Sequence, residues 1–428
     1  YYTSRCINGQ LLVICSDMLE NGKIRPSKAL QDTLLSMLKG NEEFVMIDDQ
    51  KLAYETALGM ARKSYRDGKK RVLIVKGGPG TGKSVLAINL LVKLTSENMV
   101  CSYTTKNAAP RNVYATKLSG DFRKTRINNL FKSSGSFVRI PENEIDVLIA
   151  DEAHRLNAKS GMCQNLGENQ IKEIIKASKF SVFFIDESQR VTLKDIGSVE
   201  EIKKYIGQAN AESEIMELES QFRCNGSDGY IAWLDDVLDI RKTANGEGFD
   251  LDYDIKICDT PNEVRDIIFE KNKINNKARL LAGYCWNWIK DGKNKSDVFD
   301  ITIPEYDFAM SWNLNNSKTW AIDHNSVNEV GCIHTCQGLE FDYVGVIIGD
   351  DLRYEDGKIV TDVTKRAKTD QSIRGIHKLE KQDLNKAQKI ADEIIKNTYR
   401  TLMSRGQKGC YIYCVDKALA NYLRERIN

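Results

Sequence analysis

Residues 72–84 read Val72-Leu73-Ile74-Val75-Lys76-Gly77-Gly78-Pro79-Gly80-Thr81-Gly82-Lys83-Ser84. Four β-prone apolar residues lead into a glycine-rich stretch with the spacing G-x-x-x-x-G-K-S. An amphipathic run from Val85 to Leu94 follows. Strand, loop and helix in that order make a phosphate cradle. Gly77, Gly78, Gly80 and Gly82 let the backbone turn around an anion, with Pro79 and Thr81 completing the loop. Successive N–H groups and the helix start then point at the phosphate. In such a loop Lys83 reaches the β- and γ-phosphates and the Ser84 hydroxyl holds Mg²⁺. The spacing implies a nucleotide and leaves open what its energy drives.

Two further strings carry carboxylates at the ends of apolar runs. Ile149-Ala150-Asp151-Glu152-Ala153-His154 is one, and Phe184-Ile185-Asp186-Glu187-Ser188-Gln189-Arg190 is the other. A parallel sheet presents its functional side chains at the carboxyl ends of its strands. There Asp151 can hold Mg²⁺ and Glu152 can polarise an attacking water. Gln189 suits the γ-phosphate or its water, the part a glutamine plays in other P-loop enzymes.

Composition narrows the setting. The 428 residues are 41% hydrophobic with a net charge of +2, enough for two or three cores. Balanced charge gives no global field toward nucleic acid or membrane, so any polyanion contact is local. No apolar run approaches a membrane span. The 11 cysteines form no C-x-x-C pair and there are only 4 histidines, which argues against zinc. Cys332, Cys336, Cys410 and Cys414 read as small buried residues, and a reducing cytoplasmic location is expected.

Short apolar strands alternate with helical stretches. The strands are Cys101–Thr104, Asp146–Ala150 and Ser181–Ile185, then Ile255–Ile257, Arg279–Cys285, Val344–Ile348 and Cys410–Cys414. That pattern predicts α/β architecture with mostly parallel sheets covered by helices on both faces. Residues 1–45 are expected to be an extension, the tail of an upstream domain, and to end in a helix over 27–39. Residues 46–245 form the expected first domain and 246–428 the second, divided at the soft stretch 242–248. A Lys-rich insertion is expected near 355–396.

Taken together, these motifs resemble superfamily 1 helicase-like ATPases. More narrowly, they resemble the Schlafen-related helicase domain of many bacterial proteins of unknown function. The resemblance covers about residues 45 to 428 and implies two RecA-like domains with ATP between them. It implies that Gln50 reads adenine, since an amide can pair with both a donor and an acceptor of that base. Tyr103-Thr104-Thr105-Lys106-Asn107 resembles motif Ia, which makes Thr105 and Asn107 contacts for a single strand. Gln221-Phe222-Arg223 resembles motif IV, with Arg223 at the γ-phosphate. His334-Thr335-Cys336-Gln337-Gly338-Leu339-Glu340-Phe341-Asp342 resembles motif V. There Thr335 and Gln337 would face nucleic acid and Glu340 would sense the nucleotide. Tyr399-Arg400-Thr401-Leu402-Met403-Ser404-Arg405-Gly406 resembles motif VI, with Arg405 as arginine finger.

The sequence also departs from the family pattern. His154 stands where many members have Gln, and Arg400 where many have an aromatic residue or Asn. The gaps between motifs leave little room for the accessory domains of processive unwinding members. The resemblance implies a nucleic-acid-dependent ATPase, an ATP hydrolase using Mg²⁺ that moves on or remodels single-stranded DNA or RNA. The alternative is an ATP-gated binding module that switches an upstream nuclease or other effector. Two aromatic and basic features remain open. Tyr284, Trp286 and Trp288 suit core packing better than base stacking. Lys365, Arg366, Lys368, Arg374, Lys378 and Lys381 read equally as a phosphate track and as a solvated face.

Overall fold

The computed structural model describes residues 30–39, 41, 46, 48–161, 165–219, 228–243, 253–289, 298–313 and 319–427. Six strands make the first sheet: β1 Arg71–Gly77, β2 Cys101–Thr105, β3 Phe131–Ser133, β4 Ile145–Asp151, β5 Ser178–Ile185 and β6 Glu212–Leu218. Their order is β3-β2-β4-β5-β1-β6, and every pairing is parallel. The apolar runs are continuous because both faces are covered. On β1, Leu73 and Val75 join one core while Val72 and Ile74 join the other. The strand β4 divides likewise, with Val147 and Ile149 on one side and Leu148 and Ala150 on the other. This is the pattern of a strand buried on both sides, with helices packed above and below.

The first core also takes in Leu30, Leu34 and Met37 of the helix Leu30–Leu38. That helix lies in the expected N-terminal extension, yet its apolar face is covered by the first sheet's helices.

The second sheet is built from β7 Asp254–Ile257, β8 Ala278–Ala282, β9 Ile301–Ile303, β10 Phe308–Trp312, β11 Glu329–Gly331, β12 Phe341–Ile348 and β15 Gly406–Cys414. Its order is β7-β15-β12-β8-β11-β10-β9, parallel except for β9 against β10. A hairpin of β13 Leu352–Glu355 and β14 Lys358–Thr361 stands apart. Both sheets are thus mostly parallel and helix-covered, as the alternation predicts, in a RecA-like arrangement.

Gly345 in β12 shows how closely the layers meet. A Cβ there would lie 2.6 Å from Val264 Cγ1 and 2.8 Å from Ile268 Cγ1, so glycine lets the helix Pro261–Asn275 rest on the strand. The helix Asp228–Val237 falls on the first side of the boundary expected at 245. Its Tyr230, Trp233 and Leu234 nevertheless pack with Tyr253, Leu402 and Met403 in the second core. Large aromatic faces decide this, since Tyr230 and Trp233 are fully buried among its apolar side chains.

Arg366 is not part of a surface track. It is fully buried, 3.1 Å from Asp351 and 2.6 Å from Asp370. Trp312 stacks with both Tyr284 and Trp288 beside the second core, which matches the packing expectation. The described cysteines are all free, and no cluster of three or more potential metal ligands occurs among the described residues.

Candidate nucleotide site and the interface beside it

The strand order puts the ends of β1, β5 and β4 side by side. The glycine loop leaves β1, Asp186 follows β5, and Asp151 ends β4. Gly80 and Gly82 have φ of 84° and 82°, which an L side chain resists. Lys83 opens the helix Lys83–Ser96 and is buried. Its Nζ donates to Gly77 O at 2.7 Å and Gly78 O at 2.6 Å, and lies 3.9 Å from Asp186. The ammonium is therefore already poised over the loop it would serve.

Ser84 Oγ donates to Asp151 Oδ2 at 2.7 Å, and Tyr103 Oη donates to the same oxygen at 2.7 Å. Burial and then the neighbouring Glu152 charge push the Asp151 carboxyl up, against the pull of these hydroxyls. A crowded, desolvated oxygen site of this kind suits a hard divalent cation. Mg²⁺ keeps several waters and phosphate oxygens, so one carboxylate and one hydroxyl are enough protein ligands. Tyr103 was not anticipated. The signal was there, since residues 103 and 105 share one face of a strand that pairs with β4.

Glu152 has left-handed backbone angles, φ 52° and ψ 45°, a rare conformation for a residue with this side chain. It turns the carboxylate toward His154, whose Nε2 lies 3.1 Å from Glu152 Oε2. Burial alone would raise this carboxyl, but His154, Lys83 and Arg405 outweigh it and hold it well below the usual range. Asp186 behaves similarly, as Lys83, Arg400 and His154 overcome its burial. Gln189 is buried and donates to Asp186 Oδ2 at 2.7 Å.

Gln50 is buried against the glycine loop and donates to Thr81 O at 2.9 Å. A Cβ on Gly82 would sit 2.2 Å from Gln50 Nε2. Asp49 braces this corner by accepting from Glu219 N at 2.8 Å. Arg223 lies outside the described residues.

A cleft of about 530 Å³ opens on Gly78, Pro79 and Thr81. Its far wall comes from the second core and includes Asp235, Arg241 and Arg400. Arg405, the expected finger, does not line this cleft. Its side chain is buried, with Nε donating to Thr401 O at 3.1 Å and a long contact of 3.5 Å to Leu339 O. It still acts electrostatically on Glu152.

Of the residues expected to meet nucleic acid, Thr105 and Gln337 are closed into the interface between the two cores, while Asn107 and Thr335 are half-buried at it. Thr105 and Gln337 are buried, with exposures of 1% and 0%. Asn107 Nδ2 donates to Gln337 O at 2.7 Å, and Asn107 Oδ1 caps the helix Ala108–Leu118. The Gln337 side chain accepts from Arg155 and lies 3.5 Å from His154 Nε2. Thr335 Oγ1 accepts from Cys332 N at 2.9 Å, and Glu340 accepts from Gln407 at 2.8 Å. In this arrangement neither Thr105 nor Gln337 faces an open groove, because the cores are in contact along that edge.

Residues 70–416 match the family described as Schlafen group 3, DNA/RNA helicase domain. The chain belongs to this family. As a Schlafen group 3 helicase domain it is similar to an uncharacterized protein of Saccharomyces cerevisiae, YPL245W. The two are 24% identical over 391 residues, covering 83% of each. Among solved structures it is similar to unliganded Pif1 from a Bacteroides species, with 12% identity, 53% of this chain, 57% of that one and a TM-score of 0.27. It is also similar to AMPPCP-bound DnaA from Aquifex aeolicus, with 14% identity, 49% of this chain, 57% of that one and a TM-score of 0.26. The chain thus spans less than two-thirds of each of these two solved proteins. Among the described residues of this helicase-like domain, no helix is long and apolar enough to cross a membrane.

Proposed function

We propose that this domain is a nucleic-acid-dependent ATPase that couples hydrolysis to movement on, or remodelling of, single-stranded DNA or RNA. One observation carries the reading. Lys83, Asp151, Glu152 and Asp186 converge beside a glycine loop whose cleft is completed by the other core.

Each residue then has a task. Lys83 would exchange the carbonyls of Gly77 and Gly78 for phosphate oxygens. Ser84 and Asp151 would hold Mg²⁺, which supplies positive charge to the β- and γ-phosphates when bound. Glu152, kept ionised by His154, would take a proton from the attacking water. As that oxygen bonds to the γ-phosphorus, the bond to the bridging oxygen breaks, leaving ADP and inorganic phosphate. Gln189 would orient the water, Gln50 would pair with adenine, and Arg405 would add charge near Glu152.

A cluster of cations supports the polyanion partner. Burial, and then Arg155, Lys194 and Arg111, hold the Lys106 ammonium below its ordinary value despite Asp195. Such crowding is relieved by an incoming phosphate backbone, which positions a strand without reading its sequence. Thr105, Asn107, Thr335 and Gln337 would meet the strand once the cores part. The test is ATPase rate across single- and double-stranded DNA and RNA, with Lys83→Ala as control. Turnover indifferent to every polynucleotide counts against the reading.

The burial of Thr105 and Gln337 favours a second reading. In it the domain is an ATP-gated module that switches an effector domain in a longer chain. Slow single turnover with ATP-dependent partner capture distinguishes it.

A further inference from the structure

Arg400 occupies an unusual position. It sits in the last turn of the helix Leu384–Met403, in the second core, yet lines the cleft opposite Gly78 and Thr81. Its guanidinium pairs with Asp235 through two nitrogens, and its third donates to Ser188 Oγ at 3.2 Å. Ser188 in turn donates to Asp186 at 2.5 Å, the carboxylate 3.9 Å from Lys83. The cations of the two cores thus meet around the same carboxylate, Lys83 beside it and Arg400 through Ser188. Asp235 serves a second arginine as well, since Arg241 Nε donates to it at 2.7 Å from the cleft wall.

A buried arginine needs an anion, and in this structure Asp235 supplies it. Asp235 and Arg400 are carried by two helices of one core, so the pair moves as a body. The only hydrogen bond from this guanidinium to the first core is the single one to Ser188, among the described residues. A planar guanidinium suits phosphate as well as carboxylate and can exchange one for the other.

We propose that Asp235 holds Arg400 in reserve and that the terminal phosphate of a nucleoside triphosphate replaces it as partner. Arg400 then distinguishes triphosphate from diphosphate and stabilises charge during transfer. This rests on the ATPase reading above, but assigns a residue and a gate that the motif resemblance leaves without a role.

The test compares wild type, Arg400→Ala/Asp235→Ala and Asp235→Asn. The double variant removes both charges and leaves no carboxylate stranded. Fluorescent ADP and a fluorescent non-hydrolysable ATP analogue report binding, and phosphate release reports turnover. The double variant should bind both nucleotides alike and lose turnover by about 10³-fold, the lower end for arginine fingers. Asp235→Asn should tighten the ATP analogue several-fold while leaving ADP unchanged.

A double variant that keeps the wild-type preference and rate overturns the proposal. Equal loss of both nucleotides with a lowered melting temperature also overturns it, since that marks a strut. Lys83→Ala separates this from the wider reading. If Lys83→Ala binds and turns over like wild type, the ATPase assignment itself falls, whatever Arg400 does.

Discussion

His154 Nε2 stands 3.1 Å from Glu152 Oε2, with the imidazole wholly buried. This contact is a main reason the carboxyl stays ionised against its own burial. The acid limb of the pH–rate profile tests it. In His154→Ala the Glu152 carboxyl loses its partner and its pKa rises. The acid limb should therefore move to higher pH, with turnover lost first on the acid side of the profile. An unshifted limb argues that Glu152 is not the base.

Lys83→Ala and Glu152→Gln should fail differently. Without Lys83 the phosphates lose their main cation, so nucleotide binding and hydrolysis both go. With Glu152→Gln the cradle is intact and the base is gone. Binding should stay close to wild type while turnover falls about 10²- to 10⁴-fold. Titration with a fluorescent ATP analogue, beside phosphate release, separates the two.

Gly82→Ala should be costly twice over. Its φ of 82° strains an alanine by about 1–2 kcal/mol, and the new methyl would press on Gln50 Nε2. Lower stability should come with lost preference for ATP over GTP. Adding Gln50→Ala should recover part of the stability and none of the preference. Thermal unfolding and competition binding read the two effects.

Removing one partner of the buried Arg366–Asp351 pair leaves an uncompensated charge. Arg366→Ala should destabilise by about 3–5 kcal/mol. Lys378→Ala, on the exposed side of the same region, should stay within about 0.5 kcal/mol. Denaturant unfolding gives both values. A large effect of Arg366→Ala on the salt dependence of polynucleotide binding, with stability unchanged, would contradict the buried placement.

Burial, and then Arg155, pull the His334 imidazole down to about 4. The unfolded chain has an ordinary histidine near 6.5 and binds the proton first. Stability is therefore fully present above pH 6.5, declines as pH falls toward 4, and changes no further from this source below that. His334→Gln should reduce the loss across this window by on the order of 1–3 kcal/mol. Melting temperatures at pH 7.5 and 4.5, wild type against variant, check the sign.

Sequence alone reached the elements whose cause is local. The glycine loop, the strands buried on both faces and the carboxylates after β4 and β5 follow from short-range spacing and periodicity. Arg400 with Asp235 did not, because the pair joins helices far apart in the chain. Its one trace was a charged residue at a place usually aromatic. The closed surroundings of Thr105 and Gln337 were equally hidden, because they depend on how one core rests against the other. Arg366 shows the limit of charge counting, since a lysine-rich stretch conceals an arginine whose partners, Asp351 and Asp370, draw it inside.

The last strand of the first sheet has a mechanical meaning. Among the described residues β6 is an edge bonded to β1 alone, and its final residue, Leu218, is paired with Gly77. The next helix in the sequence, Asp228–Val237, belongs to the other core. Leu218 also lines the cleft that Arg400 borders from the other core, so a shift of that core would reach the strand flanking the phosphate loop. Tension between the cores and occupancy of the loop therefore share one lever. A force applied across the domain should change nucleotide release before it unfolds either sheet.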